Sequence, residues 1–240
     1  MDTIKWNKTP FYRLMAAMVL GAGTAIAPLV LLMFGLIQFK IMSVVGAEAT
    51  TSAFGIASGI ASLAIVVLTP LGGVIADRTH VKMGRRRFWL VAGSVGGFIF
   101  MMALAYAQSM PMVVASWCIA QFFYGMVSLS CFAMIPEQVE EARFGRASGI
   151  MSSAAPIFVM SGSIIIGIYA ATPVVLKIAV VSAVQLIAGI VTALLVKDTY
   201  IPAAQRQEQQ PEVLPAQLSQ GIHAQGYLAG AAEPSAEVHR

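Results

Sequence analysis

The chain alternates between long apolar runs and short polar interruptions, and the runs are too long for elements of a water-soluble core. Stretches of about 20 residues with few or no charges number six: 14–37, 52–76, 88–107, 110–135, 147–171 and 174–196. At about 1.5 Å of helical rise per residue, each is long enough to cross about 30 Å of hydrocarbon. Only the last holds a full charge, Lys177, close enough to its start for the amine to reach the headgroup level. The alternative is a set of helices buried in a large soluble core. Such helices are shorter, and six in succession leave nothing amphipathic to face water. The expected fold class is all-α, a polytopic membrane protein with six transmembrane helices.

Composition agrees. Of 240 residues, 58% are apolar and only 11% charged, with a mean hydropathy of +0.79. A soluble domain carries roughly a quarter charged residues, so this chain lacks the charge to cover a water-soluble globule. The net charge of +4 does not point to nucleic acid, because the charges fall between apolar runs rather than along one face. Anionic lipid headgroups are the expected neighbours. Cys118 and Cys131 lie in one run, about 20 Å apart along a helix and beyond disulfide reach of each other.

Charge placement also sets an orientation. One side receives Lys5, Lys8, Arg13, Arg78, Lys82, Arg85, Arg86, Arg87, Arg143, Arg146, Lys197 and Arg206, and the other Lys40 and Lys177. By the positive-inside rule, segment 1–13, loops 77–87 and 136–146 and the tail 197–240 are expected in the cytoplasm. The expected location is a plasma membrane, the inner membrane in a bacterium, spanned several times. The first run is longer than a signal-peptide core and reads as a retained helix. The tail, rich in Gln and Pro, cannot bury enough apolar surface to fold alone and is expected to be disordered or to act as a linker.

Two polar loops carry the most specific patterns. The first has Gly73, Asp77 and Arg78, a short spacer, then Gly84-Arg85-Arg86-Arg87 at the membrane edge. The second runs from Pro136 and Glu137 to Arg143, Gly145, Arg146, Ala147, Ser148 and Gly149. The first resembles the cytoplasmic signature loop of the major facilitator superfamily, in the longer form of its glycoside–pentoside–hexuronide and sucrose-transporter-like branches. Phe88 stands where those branches place Pro. The second is similar to the stretch such transporters carry between helices four and five. The resemblance implies twelve helices in two halves, of which this chain supplies the amino-terminal six as two three-helix repeats. It also implies a latch of Gly73, Asp77, Arg78, Gly84, Arg85, Arg86, Arg87, Glu137, Arg143, Gly145 and Arg146 that closes the cytoplasmic side when the protein opens outward. Physically, Asp77 at a membrane edge needs a cationic partner, and Gly73 permits a close helix approach. The plainer reading is that these basic residues fix topology and bind anionic lipid.

Acidic residues, Arg and His are missing from the middle of every run, whereas sugar–cation symporters of the resembling branches carry acidic residues in helices two and four. What remains is neutral. Trp117, Gln121, Tyr124 and Ser128 share one face of the fourth helix. An aromatic platform beside an amide and a hydroxyl suits a neutral polyhydroxylated solute such as a sugar; helix packing is the competing reading. Ser58, Ser62 and Thr69, and Ser152, Pro156 and Ser163, are aligned in the same way on helices two and five. Gly55 with Gly59, Gly93 with Gly97, and Gly149 with Ser153 have the spacing that permits tight helix contact. Pro28 and Pro156 can break helices one and five. Metal-ligand clusters, nucleophile–base pairs and phosphate-cradling loops do not stand out, so neither an enzyme nor a cofactor is expected. The expected partners are the bilayer, a small-molecule solute and a second six-helix half or a second copy. A scaffold or assembly factor on the same fold, or a truncated fragment, is the alternative.

Overall fold

The computed structural model describes residues 9–79, 81 and 84–196, without the side chains of Asp77 and Glu137. The tail expected to be disordered lies outside those residues. Among the described residues, six helical segments are long and apolar enough to cross a membrane. The first comprises α1 (Phe11–Leu31), a π-helical turn (Leu32–Leu36) and α2 (Ile37–Val45). The others are α3 (Thr50–Arg78), α4 (Arg85–Ala105), α5 (Met110–Gln138), α6 (Phe144–Ile168) and α7 (Val174–Leu195). An unpaired backbone group costs several kcal/mol in hydrocarbon, which drives each apolar run into a helix.

Several helices outrun their apolar stretches. Asp77 and Arg78 belong to the last turn of α3, Pro136 and Glu137 to the end of α5, and Arg146 to α6. The expected loops contract to 79–84 and 139–143. Hydropathy marks the length of chain in hydrocarbon, whereas helical pairing continues into the headgroup layer. Lys40 likewise sits on α2 rather than in a loop, buried, with Nζ donating to the carbonyl of Ala105 at 2.9 Å. Ala105 ends α4, where carbonyls lack helical donors, so Lys40 ties the first span to the third. Pro156 does not divide α6. After Pro28 the first span widens into the π turn at Leu32–Leu36, which contains the extended Gly35.

α4 packs against α5 and α7; α1 packs against α5, α6 and α7; α3 packs against α5. Exchanging α1 with α5, α3 with α6 and α4 with α7 maps this pattern onto itself. The contacts therefore show two three-helix repeats, as in half of a two-bodied transporter. Leu14, Met18, Leu90, Val127 and Met134 fill one half of the interior, and Leu32, Ile41, Met101, Trp117 and Tyr124 the other. α3 and α6 are the least enclosed helices.

Of the three small-residue pairs, only Gly93 with Gly97 is used inside the bundle. A Cβ at Gly93 would meet the Phe123 carbonyl oxygen at 2.7 Å, and one at Gly97 would enter the Tyr124 ring. Gly55, Gly59 and Gly149 face open space.

Candidate functional site

Most of the expected latch residues gather at one end of the bundle. Gly84 precedes α4 with φ +95°, a region that disfavours a Cβ, which explains the glycine before the basic triplet. Thr79 closes the turn from the other side: its hydroxyl donates to the Ile75 carbonyl (2.7 Å) and accepts from Trp89 Nε1 (3.1 Å). Arg86 is buried, and Arg87 Nε donates to the Ala193 carbonyl in the last turn of α7 at 2.8 Å. Arg78, Arg85 and Arg86 also have partners. The side chains of Asp77 and Glu137 fall outside the described residues, and the Asp–Arg pairing with them. Gly73 faces open space, and Gly72 is the glycine pressed on α5, where an added Cβ would lie 2.7 Å from the Met126 sulfur.

The second loop meets the start of α1. Arg143 Cζ lies 5.4 Å from the Phe11 ring centre, and Arg146 Cζ lies 5.9 Å from those of Phe11 and Tyr12, within cation–π range. The Arg143–Glu140 pair at 3.5 Å is exposed and contributes little. Gly145 is exposed, with no neighbour at its Cβ position. Thr9 N–H donates to Gln138 Oε1 at 3.3 Å. Neither Thr79–Trp89 nor the aromatic pair was singled out in the sequence, although Phe11-Tyr12 at the foot of the first run is an interfacial signal.

The four neutral residues on α5 separate. Trp117 and Tyr124 are fully enclosed in one apolar cluster, with the Tyr124 ring against Gly97 of α4, whereas Gln121 lines a cavity of about 160 Å³ between α1, α3 and α5, with Thr69 and Gly72 opposite. Ser128 is half-buried. The Gln121 Nε2 and Tyr124 hydroxyl are buried without a hydrogen bond of good geometry, although the Tyr124 hydroxyl faces Ser182. Beside Tyr124 runs a polar seam absent from the expected site. Gln185 Nε2 donates to Ser94 Oγ (3.2 Å), which itself donates to the Leu90 carbonyl (2.6 Å). Gln185, the one amide in the last apolar run, was the readable signal for it.

These features define a membrane-embedded six-helix bundle with a basic end, a neutral interior and two little-covered helices. The chain matches the family model of the Major Facilitator Superfamily over residues 13–231 and belongs to that superfamily. It carries the domain of a secondary membrane transporter; members of the superfamily are transporters rather than enzymes. No curated protein matches the chain.

Proposed function

We propose that this bundle is one wall of a transporter for a small neutral solute, such as a sugar, completed by a second six-helix body. The cavity between α1, α3 and α5 carries the reading. Its described lining holds Thr69 and Gln121 but no charged residue, and the Gln121 amide nitrogen lacks an acceptor. A volume of about 160 Å³ is below the roughly 300–1,000 Å³ of complete small-ligand sites, as suits a site shared with an opposing wall. The open Gly55, Gly59 and Gly149 faces of α3 and α6 suit close contact with that second body. A basic end that also serves as a latch completes an alternating-access cycle, and the twelve-to-two placement of Lys and Arg along the sequence favours a cytoplasmic placement.

Reconstitution into vesicles tests this, with uptake of a panel of neutral and charged solutes measured with and without a complementary six-helix body. Saturable uptake of a neutral solute only when both bodies are present is expected, with loss in Gln121→Leu. A stable monomer, by light scattering, that transports alone would refute the two-body reading. Selective uptake of a charged solute would refute the neutral one.

A further inference from the structure

α6 and α7 follow each other in sequence but scarcely touch; both lean on α1. Between them lies a groove of about 530 Å³, floored by Ala27, Pro28 and Leu31 of α1. Its walls extend from Phe158 to Tyr169 on one side and from Leu176 to Val184 on the other, about 12 to 16 Å at helical rise. One leaflet of a bilayer offers about 15 Å of hydrocarbon, so the groove spans a single leaflet.

Apart from the hydroxyl of the exposed Tyr169, the walls offer a ligand almost no hydrogen bond. Thr24 Oγ1 donates to the Leu20 carbonyl (2.6 Å) and Ser161 Oγ to that of Ile157 (2.8 Å), so both hydroxyls turn back onto their own helices. At the mouth Thr172 Oγ1 does the same towards Tyr169 (2.8 Å). Lys177 differs. Its ammonium spends one donor on the Ala170 carbonyl (2.8 Å) and keeps two more. A dry channel one leaflet long with a cation at its polar end matches an amphiphile with one long apolar tail in the channel and an anionic head outside.

We propose that the α1–α6–α7 groove is a binding site for an anionic glycerophospholipid, with one acyl chain between α6 and α7 and the phosphate at Lys177. The site is separate from the α1–α3–α5 cavity, and solute transport can fail without affecting it. The charge at the mouth, which a neutral protein surface does not require, favours lipid over a second copy of the chain as occupant.

The test is native mass spectrometry of the full chain, purified in detergent and offered equal amounts of dioleoyl phosphatidylglycerol and dioleoyl phosphatidylcholine. Retention of the anionic lipid is expected to exceed that of the zwitterionic one about fivefold, the effect of one cation at a lipid surface. Lys177→Gln brings the ratio close to one and Lys177→Arg preserves it. Val184→Trp, which fills the groove from an exposed wall position, lowers retention of both lipids. Leu194→Trp, exposed on the same helix but outside the groove, does not. Equal retention of the two lipids by the unmodified chain overturns the proposal, as does a ratio unmoved by Lys177→Gln. A self-associated form that sheds lipid as it assembles assigns the groove to a second copy instead.

Discussion

Arg87 lies in the first turn of α4 and places its Nε 2.8 Å from the carbonyl of Ala193, in the last turn of α7, where helical donors have run out. The third arginine of the signature triplet thus joins the third and sixth spans within one six-helix body. That work is independent of any contact the triplet makes with a second body, and it explains why an arginine stands there. A guanidinium holds a fixed fork of donors.

Replacing Arg87 by Ala is expected to destabilise the bundle by about 1.5–3 kcal/mol, the range for a hydrogen bond with a charged partner. Arg87→Lys should recover part of this. The midpoint of thermal unfolding in detergent measures it; equal midpoints for Ala and Arg at position 87 would show that the bond contributes nothing.

The glycine pairs should respond in opposite ways. Gly93→Ala drives a Cβ against the Phe123 carbonyl oxygen at 2.7 Å, a backbone atom that cannot swing aside, and overpacking of this kind costs about 1–3 kcal/mol. Gly59→Ala meets no neighbour and should leave the unfolding midpoint unchanged or slightly raised, since Gly weakens a helix. If α3 faces a second body, Gly59→Ala lowers the associated fraction in light scattering while the fold stays intact. Equal losses of stability at both positions contradict the packing described here.

The six spans were legible because apolar length is a property of composition and bilayer thickness alone. The helix ends were not, since Asp77, Arg78 and Arg146 are polar yet helical. A shared face on α5 was also legible for Trp117, Gln121, Tyr124 and Ser128, but a helical face has an angular width that neighbouring helices divide. Tyr124 falls towards α4, where Gly97 makes room for its ring, while Gln121 falls towards α3. The Gly55/Gly59 and Gly93/Gly97 spacings look alike in sequence, and only the packing of α4 on α5 separates them. The Lys40–Ala105 and Arg87–Ala193 bonds link residues 65 and 106 positions apart, beyond any local pattern.

Tyr124 offers a clean separation of packing from solute contact. Its hydroxyl is buried facing Ser182 without a well-formed hydrogen bond, so Tyr124→Phe removes a poorly paired polar group and keeps the ring against α4. The unfolding midpoint should stay level or rise by up to about 1 kcal/mol equivalent, with uptake in the reconstituted two-body system retained. Loss of uptake at unchanged stability would instead place the hydroxyl in the solute path.

The latch reading turns on Asp77, in the last turn of α3. Asp77→Asn removes the charge with little change in shape, and in a two-body complex it should shift the basic end towards open without preventing membrane insertion. A cysteine at Ser148, exposed near the start of α6, reports this through its labelling rate with a charged, membrane-impermeant maleimide, expected to rise about threefold or more. Identical rates in both proteins would leave the loop with topology alone.

Orientation is the prediction on which the latch, the lipid leaflet and the solute path all depend. Lys40 reaches Ala105, and Ala107 follows directly, so the end of the bundle holding residue 107 is the one that holds Lys40. The opposite end gathers Arg85, Arg86, Arg87, Arg143 and Arg146, and moving such a cluster across a membrane opposes the positive-inside bias. Reporter fusions after Ala107 should therefore be active outside the cytoplasm, and fusions after Arg87, Arg146 and Arg206 inside it. Reversing the bias tests cause rather than correlation. With Arg85, Arg86 and Arg87 changed to Gln and three lysines added beside Ala107, part of the population should insert inverted, with the fusions at both ends of the bundle giving mixed signals. An unmodified chain whose Ala107 fusion reports from the cytoplasm would put the basic end outside, and the latch would then face the wrong side for the cycle proposed.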